Sequence, residues 1–82
     1  MKIEKLKTIS IAIPSQWEAE LEDGQKIDFH YRHGYLTIKR AGLEIYEKRL
    51  GRKFHSILSL DRLIQITRHL FDWGKIEEWF KD

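Results

Sequence analysis

Residues 26–39, KIDFHYRHGYLTIK, decide the fold. Ile27, Phe29 and Tyr31 alternate with Asp28 and His30, and Leu36 and Ile38 alternate with Thr37 and Lys39. Successive side chains of a strand point to opposite faces, so this is the pattern of two strands with one face buried. His33-Gly34 between them reads as a two-residue hairpin turn. Such turns need positive φ, which glycine adopts freely and for which histidine is enriched. This turn pairs Tyr31 with Leu36 and Phe29 with Ile38.

The same parity extends in both directions. Trp17, Ala19 and Leu21 alternate with Glu18, Glu20 and Glu22. Leu43 and Ile45 alternate with Glu44 and Tyr46, and Ile9, Ile11 and Ile13 alternate with Ser10 and Ala12. A slip of one residue turns every side chain over, so loop length fixes the register. A two-residue loop at Asp23-Gly24 would set Glu20 opposite Ile27, on the wrong face. A three-residue loop, Glu22-Asp23-Gly24 with a glycine bulge, pairs Ala19 with Ile27 and Trp17 with Phe29. A two-residue loop at Ala41-Gly42 pairs Ile38 with Ile45. The expected inner row is therefore Trp17–Phe29–Ile38–Ile45.

A different period follows. In SLDRLIQITRHLFDW, residues 59–73, Leu60, Leu63, Ile64, Thr67, Leu70 and Phe71 recur at helical spacing. Ser59 is the expected N-cap, Asp61 suits the positive end of the helix dipole, and Gly74 is the expected stop. Arg62, Gln65, His69 and Asp72 fall on the opposite, solvent face. Ile76, Trp79 and Phe80 have the spacing of one more amphipathic turn. The aromatics Phe71, Trp73, Trp79 and Phe80 are expected to close the bottom of the core. The predicted fold is α+β: an antiparallel β-meander of four to five strands packed against one C-terminal amphipathic helix plus a short terminal helical turn. It forms a single domain over 1–82, with the meander at 8–50 and the helical part at 56–82.

Composition narrows the chemistry. The chain has 82 residues, no cysteine, and a net charge of +2. Without cysteine there are no disulfides and no thiolate zinc sites, and a cytoplasmic protein is expected. The opening MKIEKLKTISIAIP holds Glu4 and lacks the apolar block of a signal peptide, and no stretch is apolar enough for a membrane span. The charge is uneven: 1–31 carries −2, 32–53 carries +5, and 54–82 carries −1.

The predicted register also lays out the outer face. It aligns Asp28–Lys39–Glu44, then His30–Thr37–Tyr46, then Arg32–Tyr35–Lys48. Two tyrosines among cations on an open sheet have the physics of a base-stacking platform, and also of ordinary strand-forming residues with wet ends. The segment Lys48-Arg49-Leu50-Gly51-Arg52-Lys53 is the densest positive run. It suits phosphates or an acidic protein patch, and equally a solvated connection. The binding candidates are Arg32, Tyr35, Lys39, Tyr46, Lys48, Arg49, Arg52 and Lys53. His30 and His33 lack the third and fourth ligands a metal needs, and no serine sits in a nucleophile elbow. No acid, base and nucleophile are assembled, so no enzyme activity, metal or cofactor is expected. The expected function is a small non-catalytic interaction module, an adaptor, regulator or inhibitor. It would bind another protein through an exposed sheet face or edge, with a homodimer among the arrangements open to it. The alternative is a nucleic-acid binder using the aromatic and basic sheet face and the basic loop.

Overall fold

The turns are built from residues in left-handed backbone. His33 and Gly34 have φ of 54° and 82°, and Ala41 and Gly42 have 52° and 81°. Positive φ at both central residues is the geometry whose twist matches that of the flanking strands. Gly24, at φ 88°, closes the three-residue loop, donating its N–H to the carbonyl of Leu21 at 2.9 Å.

The computed structural model describes residues 1–10, 14–51 and 57–74. Five strands run in chain order across one antiparallel sheet: β1 (Ile3–Ser10), β2 (Ser15–Leu21), β3 (Lys26–Arg32), β4 (Tyr35–Arg40) and β5 (Leu43–Arg49). One helix, α1 (Leu60–Thr67), follows. The expected α+β class holds. The pairings Trp17 with Phe29, Ala19 with Ile27, Phe29 with Ile38 and Tyr31 with Leu36 are those the loop parity requires.

The inner face carries the core. Trp17, Ala19, Leu21, Ile27, Phe29, Tyr31, Leu36 and Ile38 are all buried on it. Leu63 and Ile64 of α1 complete the core with Leu58, Phe71 and Trp73. Phe29 is its centre: Phe71 meets it edge-on at 5.5 Å between centroids, and Trp73 lies tilted against it at 5.7 Å. Arg62, Gln65, His69 and Asp72 are exposed, as the helical spacing requires.

Three expectations are corrected. First, the meander begins at Ile3 rather than at residue 8. Ile3, Leu6 and Thr8 face inward opposite Leu21, Ala19 and Trp17, with register shifts between Ile3 and Lys5 and between Thr8 and Ser10. These irregularities break the period of two, so the strand leaves no alternating signature in the sequence. Ile9, read as inward, is 46% exposed, and Ile11–Ile13 lie outside the described residues.

Second, β5 carries a bulge. Lys39 pairs with Glu44, but Ile38 pairs with Tyr46, leaving Ile45 as the extra residue at 40% exposure. The inner row is Trp17–Phe29–Ile38–Tyr46. Tyr46 packs against the core and meets the His69 ring at 5.9 Å, a larger contact than Ile45 would make there.

Third, α1 ends at Thr67, well before Gly74. Ser59 caps it as expected, accepting from the Arg62 N–H at 3.2 Å. At its other end the Thr67 carbonyl accepts from the N–H groups of both Leu70 and Phe71, which turns the chain. The Thr67 hydroxyl donates to the Leu63 carbonyl at 2.7 Å and accepts from the Trp73 indole at 3.0 Å. Phe71 and Trp73 then point inward as alternate residues of extended chain, with Asp72 between them bridging to Lys2. This bridge covers the start of the β1 edge: Ile3 donates to the Asp72 carbonyl at 2.9 Å, and Asp72 donates to the Met1 carbonyl at 2.7 Å. The terminal turn expected at Ile76, Trp79 and Phe80 lies outside the described residues.

Candidate interaction surface

The register that buries one face of the sheet assembles the other from polar residues. Four rows cross it. One end holds Arg32–Tyr35–Arg49. The next row is Gln16–His30–Thr37–Glu47, the third is Lys7–Glu18–Asp28–Lys39–Glu44, and the fourth is Lys5–Glu20–Lys26. No aliphatic side chain stands in these rows, and Tyr35 is their only aromatic residue.

The sequence-derived candidates divide among three places. Arg32, Tyr35, Lys39 and Arg49 stand on this outer face. Tyr46 and Lys48 do not. The bulge at Ile45 reverses the parity of every later residue of β5, so Tyr46 lies opposite Ile38 and Lys48 opposite Leu36, on the inner side. Arg49 therefore takes the place beside Tyr35 expected for Lys48. Arg52 and Lys53 lie outside the described residues. The two-tyrosine platform is thus corrected to a single tyrosine flanked by two arginines.

Arg49 and Tyr35 form a fixed pair. The Arg49 guanidinium carbon stands 5.1 Å from the Tyr35 ring centroid, and its Nη1 donates to the Tyr35 hydroxyl at 3.2 Å. Arg49 thus leans from β5 across β4, toward the strand that carries Arg32. A guanidinium over an aromatic face gains about 0.5–1 kcal/mol at an exposed site and loses rotational freedom.

Charge balance differs along the face. Toward the Glu22-Asp23-Gly24 loop the cations are satisfied: Lys26 lies 4.0 Å from Glu18 and 3.7 Å from Glu20, and Lys5 lies 3.7 Å from Glu20. Among the described residues, Lys7, Arg32, Lys39 and Arg49 have no carboxylate oxygen within the 4.0 Å that the Lys26–Glu18 pair spans. The aligned row Asp28–Lys39–Glu44 is present in register but forms no such ion pair. His30, half-buried between these cations, responds to them. Burial first, then the charges of Arg32 and Lys39, hold its imidazole below the usual histidine range.

Glu18 and Glu20 stand on an interior strand, because β1 covers β2. An open groove of about 470 Å³ lies beyond the helix end, between Met1, Ile64, His69, Phe71 and Trp73, and Gly74 forms part of its wall. Among the described residues no three His, Asp or Glu side chains converge as a metal site, and no helix is long and apolar enough to cross a membrane.

Protein-family models, curated protein sequences and solved structures were each compared with this chain, and none matches.

Proposed function

We propose that this chain is a small non-catalytic interaction module, an adaptor, regulator or inhibitor, that binds another protein through the outer face of its sheet. Arg32, Tyr35, Lys39 and Arg49 are the contact residues. The observation that carries this reading is the contrast in charge pairing together with residue type: Lys5 and Lys26 have carboxylate partners, while Arg32, Lys39 and Arg49, like Lys7 on the same face, have none among the described residues, and only Arg32 and Arg49 flank an aromatic ring. Arginine and tyrosine are the residue types that most often dominate binding energy at interfaces. A cysteine-free chain fits the cytoplasm, and we place the module there. The nucleic-acid reading has less support, because Tyr46 is not on the face with Tyr35.

Affinity capture from extract of the source cells tests the proposal. The bait is wild-type protein, the pair Arg32→Glu/Arg49→Glu, or the pair Lys5→Glu/Lys26→Glu, whose lysines already have carboxylate partners. Both variants change the net charge equally. A partner held by wild type and by the lysine variant, and lost from the arginine variant, is the expected result. Identical captures by all three would remove the outer face from the argument. Light scattering on the free protein identifies a partner that is a second copy.

A further inference from the structure

The Arg32–Tyr35–Arg49 row has a narrower chemistry than a general contact surface. Adjacent strands lie about 4.8 Å apart, so the backbones bearing the two arginines are about 10 Å apart with Tyr35 between them. Arg49 lies over Tyr35, which brings its charge toward Arg32. Arg49 is held in place before any ligand arrives, so less of its freedom is lost on binding. Each guanidinium presents a planar fork of N–H donors that matches two oxygens of one carboxylate.

We propose that this row is an oxyanion clamp and that its ligand is a short acidic segment of a partner protein, with one carboxylate seated on each guanidinium. The proposal rests on the protein-binding reading above and names the chemistry of the partner. The surroundings select a short anion over a long one. Glu47 stands in the adjacent row, and in the row beyond the three carboxylates of Glu18, Asp28 and Glu44 outnumber the two lysines Lys7 and Lys39. A polyphosphate backbone crossing the face would run from two cations onto these carboxylates. Nucleic-acid binders need a continuous basic track and open aromatic faces. Here Arg49 already covers the Tyr35 ring. Two carboxylates near one end of the sheet meet only the cationic row.

The test uses the whole chain and fluorescence anisotropy. The probes are labelled triglutamate, labelled oligothymidylate of equal length, and a labelled glycine-serine peptide. Triglutamate is expected to bind at about 50 mM salt and to weaken by about 200 mM, as charge-dominated contacts do. Arg32→Glu/Arg49→Glu should weaken it by about tenfold or more, and Lys5→Glu/Lys26→Glu by less than about twofold, since exposed pairs each contribute little and position decides. Arg32→Lys/Arg49→Lys keeps the charge but not the fork, and should weaken binding several-fold. This pair still decides the matter if the glutamate pair fails to fold, which circular dichroism reports.

Equal losses in the two charge-reversed variants would mean that only net charge matters, and would overturn the clamp. So would a lysine pair that binds like wild type. Tighter binding of oligothymidylate would overturn the acidic-segment assignment in favour of nucleic acid. If triglutamate does not bind, but a captured partner still depends on Arg32 and Arg49, the clamp fails and the protein-binding reading stands. If neither is seen, both fail.

Discussion

The hairpins β3–β4 and β4–β5 begin alike and end differently. Each turns through two residues of positive φ, the second a glycine. From His33-Gly34 the pairing runs without interruption to Ile27 opposite Arg40. From Ala41-Gly42 it holds for two pairs and then shifts at Ile45. A turn therefore fixes only the first pairs of a ladder. Beyond them, register belongs to whichever residue fills the core better. In β3–β4 the turn and the core agree. In β5 the turn favours Ile45 inward, the core takes Tyr46, and a bulge reconciles them.

The largest expected effect tests the uninterrupted hairpin. Ile38 is fully buried between Phe29 and Tyr46, so Ile38→Glu would place a carboxylate in an apolar row and should leave the chain unfolded. Its neighbour Lys39 faces out, and Lys39→Glu should cost less than about 1 kcal/mol, through like-charge contact with Asp28 and Glu44. Urea unfolding of both variants checks this. An unfolded Lys39→Glu beside a folded Ile38→Glu would mean that the strand faces are reversed.

The bulged hairpin gives the next effect. Tyr46→Ala removes a ring packed against the core and His69 and should cost about 1–2 kcal/mol. Ile45→Ala should stay within about 0.5 kcal/mol, as exposed substitutions do. A continuous ladder demands the opposite ranking, so the two unfolding midpoints decide between the registers.

The turn itself can be sharpened. Ala41 holds a φ of 52°, which an L-residue with a Cβ adopts at a cost of about 1–2 kcal/mol. Asparagine tolerates this region better, so Ala41→Asn should stabilise the chain by about 0.5–1 kcal/mol. An unchanged melting temperature would show that the strain has been relieved elsewhere in the turn.

What was legible in the sequence follows the same division. β2, β3 and β4 alternate without interruption, so parity and loop length yield their faces and their pairings. β1 and β5 contain irregularities, and a single extra residue is invisible to a reading based on period two. Phe71 and Trp73 misled in the other direction. Phe71 falls on the helical stripe through Leu63, Ile64 and Thr67, yet the chain leaves the helix at Thr67, whose hydroxyl holds the Trp73 indole. A side-chain hydrogen bond between residues six apart leaves no mark on the hydrophobic period. For the candidate site, Arg32, Tyr35 and Lys39 were legible on the outer face from parity, while Arg49 was legible only as part of the basic run, because the bulge gives it the place expected for Lys48. The error in pairing Tyr46 with them came entirely from the bulge, and the lean of Arg49 onto Tyr35 is a side-chain geometry that strand parity does not encode.

The smallest expected effect is a pH dependence on the outer side of the uninterrupted hairpin. His30 faces Gln16 from β2 and Thr37 from β4, with Asp28 and Arg32 along its own strand and Lys39 diagonal to it. Burial and the two cations lower its folded pKa below the ordinary value of about 6.5. The unfolded chain therefore takes up this proton first as the pH falls. Stability from this group is complete above about pH 6.5 and declines as the pH drops toward the folded value, below which it changes no further. Urea midpoints of wild type and His30→Gln, compared from about pH 8 down to 5, isolate the contribution from the other histidines. The wild-type midpoint should fall more steeply over that interval. Arg32→Ala should raise the His30 pKa read by NMR, because it removes one of the two cations and leaves the burial. Parallel slopes, together with an unmoved pKa, would place the Arg32 charge away from His30 and detach the histidine from the arginine row.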